Sequence, residues 1–478
     1  MSLRDYQIKG IADIKEEFKG GFRKVLLWLA TGSGKTVIFC DMVKESTKRG
    51  KYCLIVVRGR KLVDQASQRL FREGVSHGVM MAGHWNFKPS MPVQVCSIDT
   101  LISRGLKPRA DLIIIDEAHL AQSGGYKEFL AQYHSGTFVV SVTATPYSDK
   151  GLAHIAQKIV HPISMQELID QNYLVPFRYF APSEPNLDGV KVDYKTKDYA
   201  NKELETRMVA GQLTGKIIEH WKSIAEDRPT ILFAVNVHHS KILVEQFNAS
   251  GIVSEHCDAD VPDKQRNETI KRLENGKTKV VCNVGIFCTG VDIPCLGAIV
   301  MARPTQSYNL FIQQAGRGTR ICPETGKQNC ILLDHAGNIK RHGFPTMEPE
   351  VNLDGKITGE KGELESKICK NCFCVYRGKI CPECGVAPPA EEPKEIVETE
   401  DKLEEISITA KTPIEQWLEY LTIQRRKTNR KQAWIYHKLL EKFSWNESLP
   451  YLPKWFIEQG DRGQASPFGW SPYRGVGA

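Results

Sequence analysis

Long apolar runs are missing from this 478-residue chain. None reaches the roughly 18–20 residues a membrane span needs, so insertion into a bilayer is not expected. The stretches near Val25 and Leu112 read instead as buried strands. The opening MSLRDYQIKG has neither the charged start nor the apolar stretch of a secretory signal, which points to the cytosol. Repeats at solenoid spacing are absent as well. Charge of one sign is scarce: 64 Lys and Arg against 56 Asp and Glu leave a net charge of +8, a mild bias toward a polyanionic partner that decides nothing alone. Cysteine is plentiful at fourteen, but its distribution argues against disulfides. Nine cysteines are scattered singly through Cys330 and five crowd between Cys369 and Cys384, a clustering that favours a metal in a reducing compartment.

What is present is the pattern of an α/β protein too long for one core. From residue 25 to about 145, apolar runs alternate with turns and helical stretches: VLLWLA, CLIVV, VQVCSI, LIIID and FVVSVTA. A second series follows with TILFAV at Thr230, KVVCNV at Lys279, GAIVMA at Gly297 and NCILLD at Asn329. Continuous runs of this kind suit strands buried on both faces of a parallel sheet. Residues 150–225, between the two series, give no confident placement. After about residue 345 the strand pattern stops, which marks a domain boundary. Residues 389–405 hold eight acidic residues against two Lys and read as a linker. The segment from Lys411 carries five of the eight Trp residues and two helix-like stretches.

The chemistry is written first in TGSGKT, placed between a strand and a helix. Gly32 and Gly34 let the backbone N–H groups of Thr31 to Thr36, Ser33 included, curl toward phosphate oxygens at a helix N-terminus. Lys35 is placed to reach the β- and γ-phosphates of ATP, and the Thr36 hydroxyl to ligate Mg2+. The strict pattern asks for Gly where Leu29 stands. In LIIIDEAH, Asp116 and Glu117 end a buried strand, where ligands of open α/β sheets gather; Asp116 suits Mg2+ and Glu117 an attacking water.

DEAH resembles motif II of the superfamily 2 helicases, and across nearly the first 340 residues the remaining motifs follow in family order. The resemblance implies a P-loop NTPase of two tandem RecA-like domains, residues 1–165 and 166–345. LRDYQ is similar to the Q motif, with Gln7 on adenine and Arg4 in support. His119 and the Thr143 and Thr145 of SVTATP resemble the groups that couple nucleotide state to closure. CTGVDIP is similar to motif V, which implies Gly290 and Asp292 near the nucleotide and Thr289 near nucleic-acid phosphate; many relatives carry Arg before this Gly. QQAGRGTR fits motif VI, with Gln313, Arg317 and Arg320 as catalytic groups that the second domain brings to the first. Arg58, Arg60 and Lys61 look like motif Ia, Ser97, Asp99 and Thr100 like motif Ic, and Asn236 and His238 occupy the motif IV region; these are the candidate contacts to a phosphate backbone. The resemblance therefore implies nucleic-acid-dependent ATP hydrolysis.

CKNCFCVYRGKICPEC sets Cys369, Cys372, Cys381 and Cys384 at C-x2-C-x8-C-x2-C, a four-thiolate Zn2+ spacing, with Cys374 as an alternative ligand. Residues 365–388 are expected to form this zinc ribbon, 389–410 the acidic linker and 411–478 a small, mainly helical, basic and Trp-rich domain. Within the ribbon, Tyr376, Arg377 and Lys379, and in the tail Arg425, Arg426, Lys427, Arg430 and Lys431 beside Trp434 and Tyr436, suit either nucleic acid or a solvated face. The layout resembles the RadD-like DNA-repair helicases of bacteria and their phage relatives. That implies single-stranded, forked or branched DNA as substrate, with RNA still open, a single-stranded DNA-binding protein as a partner, and a monomer in the bacterial cytosol. The alternatives are the motor subunit of a restriction or phage-defence system and an ATP-gated binding module. No nuclease constellation is evident, and with motor motifs starting at residue 3 none is expected upstream.

Overall fold

The computed structural model describes residues 3–121, 124–134, 136–148, 151–181, 185, 187–193, 197–210, 213–225, 227–287, 292–354, 367–376 and 380–386, together with 414, 417–418, 421–422, 425, 433–443 and 448–452 of a separate C-terminal unit. Seven strands form the first sheet: β1 (Lys24–Trp28), β2 (Cys53–Val57), β3 (Gly78–Met80), β4 (Val93–Ser97), β5 (Leu112–Ile115), β6 (Phe138–Thr143) and β7 (Lys158–Val160). All pair in parallel in the order β3-β4-β2-β5-β6-β1-β7. The central β2 and β5 are buried along their whole length, as continuous apolar runs require.

The second sheet comprises β8 (Phe177–Phe180), β9 (Thr230–Phe233), β10 (Ser254–Cys257), β11 (Val280–Asn283), β12 (Ala298–Met301) and β13 (Cys330–Asp334), again all parallel, in the order β10-β11-β9-β12-β13-β8. These are two tandem RecA-like lobes. In each, the phosphate-handling loops leave the C-terminal ends of the strands, where they face the neighbouring lobe.

The seam between the lobes falls about ten residues after position 165. Ser164 caps the helix Met165–Asp170 through a reciprocal arrangement with Glu167, and Met165, Leu168 and Leu174 all pack in the first-lobe core. The chain enters the second lobe only at β8. Helices Asn201–Ala210 and Leu213–Ile224 cover one face of the second sheet, where the Trp221 indole N–H donates to the Thr230 hydroxyl at 2.8 Å.

Beyond the second lobe the chain returns to the first. Glu348 accepts from His161 Nε2 at 2.9 Å and from the Met165 backbone at 3.1 Å, and the Leu152 N–H donates to the Leu353 carbonyl at 2.7 Å. The segment after residue 345 is thus a strap across both lobes rather than a plain boundary.

The cysteine module is not a free-standing domain either. Its two short antiparallel strands, β14 (Lys367–Ile368) and β15 (Val375–Tyr376), dock beside the edge strand β8. Phe180 bridges to Cys374, the Ala181 N–H donates to the Phe373 carbonyl, Arg178 pairs with Glu383, and Cys369, Cys374, Tyr376 and Cys381 share a core with Phe180 and Leu333.

The C-terminal unit, from Glu391 onward, has its own small cluster. Leu439 of the helix Ala433–Lys442 packs with Leu452, Trp417 and Leu418, and the Lys442 ammonium lies 3.7 Å from the Trp417 ring centroid. The acidic linker and most of the basic run lie outside the described residues. No helix among the described residues is long and apolar enough to cross a membrane.

Candidate ATP site at the lobe interface

The loop after β1 has the backbone a phosphate cradle needs. Gly32 and Gly34 adopt φ of 86° and 81°, a region that costs L side chains strain, and Gly34 starts the helix Lys35–Lys48. Leu29, the departure from the strict pattern, is fully buried in the first-lobe core, so it supplies packing rather than a phosphate contact. The Lys35 ammonium lies 3.3 and 3.1 Å from the Leu29 and Ala30 carbonyls. Burial pushes its pKa down, with Glu117 and Asp116 pulling the other way. Burial and the neighbouring Glu117 raise the Asp116 pKa. Glu117 itself sits at φ 50°, ψ 50°, a left-handed backbone unusual for a side chain of this size. Its N–H returns to Asp116 Oδ1 at 2.9 Å, which fixes where both carboxylates emerge.

Gln7, expected on adenine, also braces the phosphate loop. It is 3% exposed; its amide nitrogen donates to the Ser33 carbonyl at 3.2 Å and its oxygen accepts from the Arg4 N–H at 3.0 Å. The Tyr6 hydroxyl also donates to the Ser33 carbonyl, so the first helix braces the phosphate loop. The Arg4 guanidinium lies 4.7 Å from the centroid of the Tyr173 ring, a residue in the stretch the sequence left unplaced.

His119 joins three motifs. Its Nδ1 lies 3.1 Å from the Thr143 hydroxyl and 3.4 Å from a Glu117 oxygen, and its Nε2 is 2.8 Å from the Gln313 amide nitrogen of the second lobe. Burial lowers its pKa, which favours neutral imidazole. With the amide donating to Nε2, the ring proton sits on Nδ1 and faces Thr143 and Glu117. Thr145, wholly buried, donates its N–H to the Thr143 hydroxyl at 3.1 Å.

The second lobe closes directly on the cradle. A Cβ at Gly316 would stand 2.6 Å from Thr31 Cβ, and one at Gly32 would stand 3.3 Å from Arg320 Cγ. Arg317 is 7% exposed, and both arginines act on the Lys35 charge. Arg320 is oriented by Asp292 at 3.1 Å, so Asp292 serves an arginine here. Gly290 and Thr289 lie outside the described residues.

The expected nucleic-acid contacts divide. Arg58 and Arg60 are exposed on the first lobe, Arg58 lying 3.9 Å from Asp99 and Arg60 donating to the Ala82 carbonyl at 3.0 Å. Thr100 is half-buried and Ser97 buried, at the end of β4. Lys61 instead crosses to the second lobe, 3.3 Å from the Ile286 carbonyl. Asn236 is committed to structure: its oxygen caps the helix Val237–Ala249 through the His239 N–H at 2.9 Å, and its nitrogen binds Glu205 at 2.7 Å. His238 is exposed beside the same Glu205, at 3.8 Å.

In the cysteine module the sulfurs of Cys369, Cys372, Cys381 and Cys384 lie within 4.8 Å of one another, with Cys369–Cys384 at 3.5 Å and Cys372–Cys381 at 3.6 Å. Four thiolates about 2.3 Å from a tetrahedral Zn2+ stand about 3.8 Å apart, so the set fits that ion. Cys374 is outside the group.

A Walker-type cradle, paired carboxylates and arginines supplied across a cleft define the superfamily 2 helicase core, and the protein is an ATP hydrolase. Residues 1–148 match the family of the type III restriction enzyme res subunit, and residues 212–322 match the helicase conserved C-terminal domain. The chain is similar to a 51.5 kDa protein of a Lactococcus phage, 27% identical, over 78% of this chain and 80% of the phage protein. It is also 30% identical to a Saccharomyces cerevisiae protein provisionally named ATP-dependent helicase Irc3, over 70% of this chain; it spans about half of that protein's length, 51%. In fold it is similar to a fragment assigned as the HsdR subunit of a type I restriction enzyme from Vibrio vulnificus, with a TM-score of 0.55, 20% identity and coverage of 74% of this chain and 67% of that one.

Proposed function

We propose that the protein is a DNA-dependent ATPase that converts lobe closure into movement along, or remodelling of, DNA. The observation that carries this is the contact of motif VI with the cradle: Gly316 against Thr31, Arg320 over Gly32, and Gln313 on His119. ATP lies between Lys35 and the two arginines, and Glu117 orients the water that attacks the γ-phosphorus. Thr36 and Asp116 would hold Mg2+, which would supply positive charge to neutralise the phosphates. Arg317 and Arg320 stabilise the charge that develops, a contribution of about 10³ to 10⁵ in rate for such arginines. Product release removes the bridge, and the His119 relay reports that change to Thr143 and Thr145.

A role in repair or recombination rests on the sequence layout: a motor core, a four-cysteine module and a KQAWIYHKLLEKF ending. Cys369, Cys372, Cys381 and Cys384 would hold Zn2+, which would fold the module onto β8 rather than do chemistry, since a closed thiolate site activates no water. Steady-state ATPase with single-stranded, duplex and forked DNA and with RNA tests the proposal. Turnover indifferent to every nucleic acid refutes it. The first-lobe match favours a second reading, the motor of a restriction or phage-defence system; specific DNA cleavage by the purified protein would support that instead.

A further inference from the structure

On the first lobe, beside the Arg58 and Arg60 face, stands an aromatic that the ATPase does not use. Trp85 is 84% exposed and Phe87 56%. Exposure of this kind is ordinary on a loose loop, but this loop is tied down along its length. Arg60 donates to the Ala82 carbonyl at 3.0 Å, and His84 Nε2 lies 3.1 Å from Asp64, both anchors coming from the helix Arg60–Arg72. The Asn86 N–H donates to His84 Nδ1 at 3.1 Å, the Asn86 amide to the His77 carbonyl at 3.2 Å, and His77 in turn is 2.7 Å from the Ser67 hydroxyl of the same helix. The Val79 N–H closes on the Asn86 carbonyl at 2.9 Å. His84 stacks on Trp85 with centroids 5.6 Å apart and rings 27° from parallel, while most of the indole stays open to solvent.

We propose that Trp85 is a base-stacking residue, which receives an unpaired nucleobase while Arg60, which reaches the same loop, holds a phosphate beside it. This rests on the DNA-motor reading above. The surroundings favour a nucleic-acid strand over a protein partner. Protein hot spots sit inside a rim that excludes water, whereas Trp85 has His84, Asn86 and Lys88 for neighbours along the loop and the Arg60 guanidinium at the loop's start, on the Ala82 carbonyl. A single aromatic plane with adjacent positive charge is what a base and its phosphate require. Preorganisation also fits, because the loop that carries the ring is already tied and loses little backbone freedom when the base arrives.

The test uses the full chain, a fluorescein-labelled oligo(dT), and an abasic oligonucleotide of the same length. Trp85→Ala should weaken oligo(dT) binding by roughly 5- to 150-fold, the range equivalent to the ~1–3 kcal/mol of one base–aromatic stack. Trp85→Phe should stay within about threefold of the parent protein. The abasic strand should bind the parent and Trp85→Ala equally, and both variants should melt at the parent temperature. Oligo(dT) affinity unchanged in Trp85→Ala overturns the assignment and leaves the patch to a protein partner. An equal loss on the abasic strand overturns it too, because the ring would then act without a base. If the parent protein binds neither strand and no nucleic acid stimulates its ATPase, the motor reading fails first and takes this one with it.

Discussion

A methyl group added at Gly316 meets Thr31 of the phosphate loop in the closed state. The added Cβ would lie 2.6 Å from Thr31 Cβ, where carbon atoms prefer about 3.5–4.0 Å, so one side must retreat by about 1 Å. The phosphate loop is braced by Tyr6, Gln7 and its own strand. Motif VI belongs to a lobe that can tilt, so it is the side that moves. Arg317 and Arg320 then stand off the reacting phosphate by a similar distance, and a misplacement of about 1 Å costs on the order of 100-fold in rate. Gly316→Ala should therefore lower kcat for ATP about 100-fold while KM for ATP, set mainly by Lys35 and the loop, changes only a few-fold. Because opening relieves the overlap, the melting temperature should hold. The contrast is Gly318→Ala, whose Cβ would lie 2.3 Å from Cys330 Sγ inside the second lobe; that change should cost stability. A Gly316→Ala enzyme with kcat within threefold of the parent refutes the contact, and one that melts early refutes its placement across a cleft that can open.

Lys35→Ala should abolish ATP turnover and leave the circular dichroism spectrum and melting temperature intact, since the ammonium rests on carbonyls and not in the core. Removing Zn2+ with a chelator, or replacing Cys369 by Ser, should lower the melting temperature by about 2–4 °C for each kcal/mol lost, because Cys369 and Cys381 sit in the second-lobe core; unaltered melting with no bound metal by elemental analysis would count against the site. Acid should destabilise the fold through His239 and His335, whose pKa values burial lowers to about 4 and about 3. The unfolded chain takes up these protons near pH 6.5 and the native one does not, so stability falls as pH drops below about 6.5, by about 1.4 kcal/mol per pH unit per histidine. Denaturant titrations from pH 7 to 5 should show it, and His239→Gln should flatten the slope.

The strands legible in the sequence are those buried on both faces. The runs at Val25, Cys53, Val93, Leu112 and Phe138, and those near Thr230, Lys279, Gly297 and Asn329, all became strands. Four strands of the two large sheets were missed, and each lies at a sheet edge, where one side needs no apolar neighbour. β3 and β7 have three residues each, β10 reads SEHC and β8 reads FRYF. The phosphate site was readable because its chemistry demands particular residue types at fixed spacing in one stretch of chain. Contacts made across the fold were not. Nothing local distinguishes the Asn236 that caps a helix from one that meets a phosphate, or tells that Lys61 will reach Ile286. Gln7 bracing the loop, and Glu348 returning to His161, depend on chain separated by many residues. Trp85 carried no periodic signal at all, because its exposure becomes visible only once the hydrogen bonds beneath it are known.

The nature of the lobe interface decides whether closure can be a reversible step. Among the described residues its contacts include single polar links, Gln313 to His119, Lys61 to the Ile286 carbonyl and the Asn309 amide to the Tyr147 carbonyl at 2.8 Å, beside the approach of Gly316 to Thr31. Tyr147 and Tyr308 add an aromatic pair, centroids 4.7 Å apart and nearly perpendicular, and Trp28, Ala144 and Met165 line a small pocket with Ile312 and Pro345 beside it. Each of these hydrogen bonds contributes about 0.5–1.5 kcal/mol net and the aromatic pair about as much. A switch from 1:99 to 99:1 needs about 5.5 kcal/mol of differential binding. A nucleotide touching Lys35 on one side and two arginines on the other supplies charge-assisted bonds of about 1.5–3 kcal/mol each, enough to set the balance in either direction. The strap through Glu348 keeps the open state from straying, because it anchors the chain leaving the second lobe to His161 and Met165 of the first.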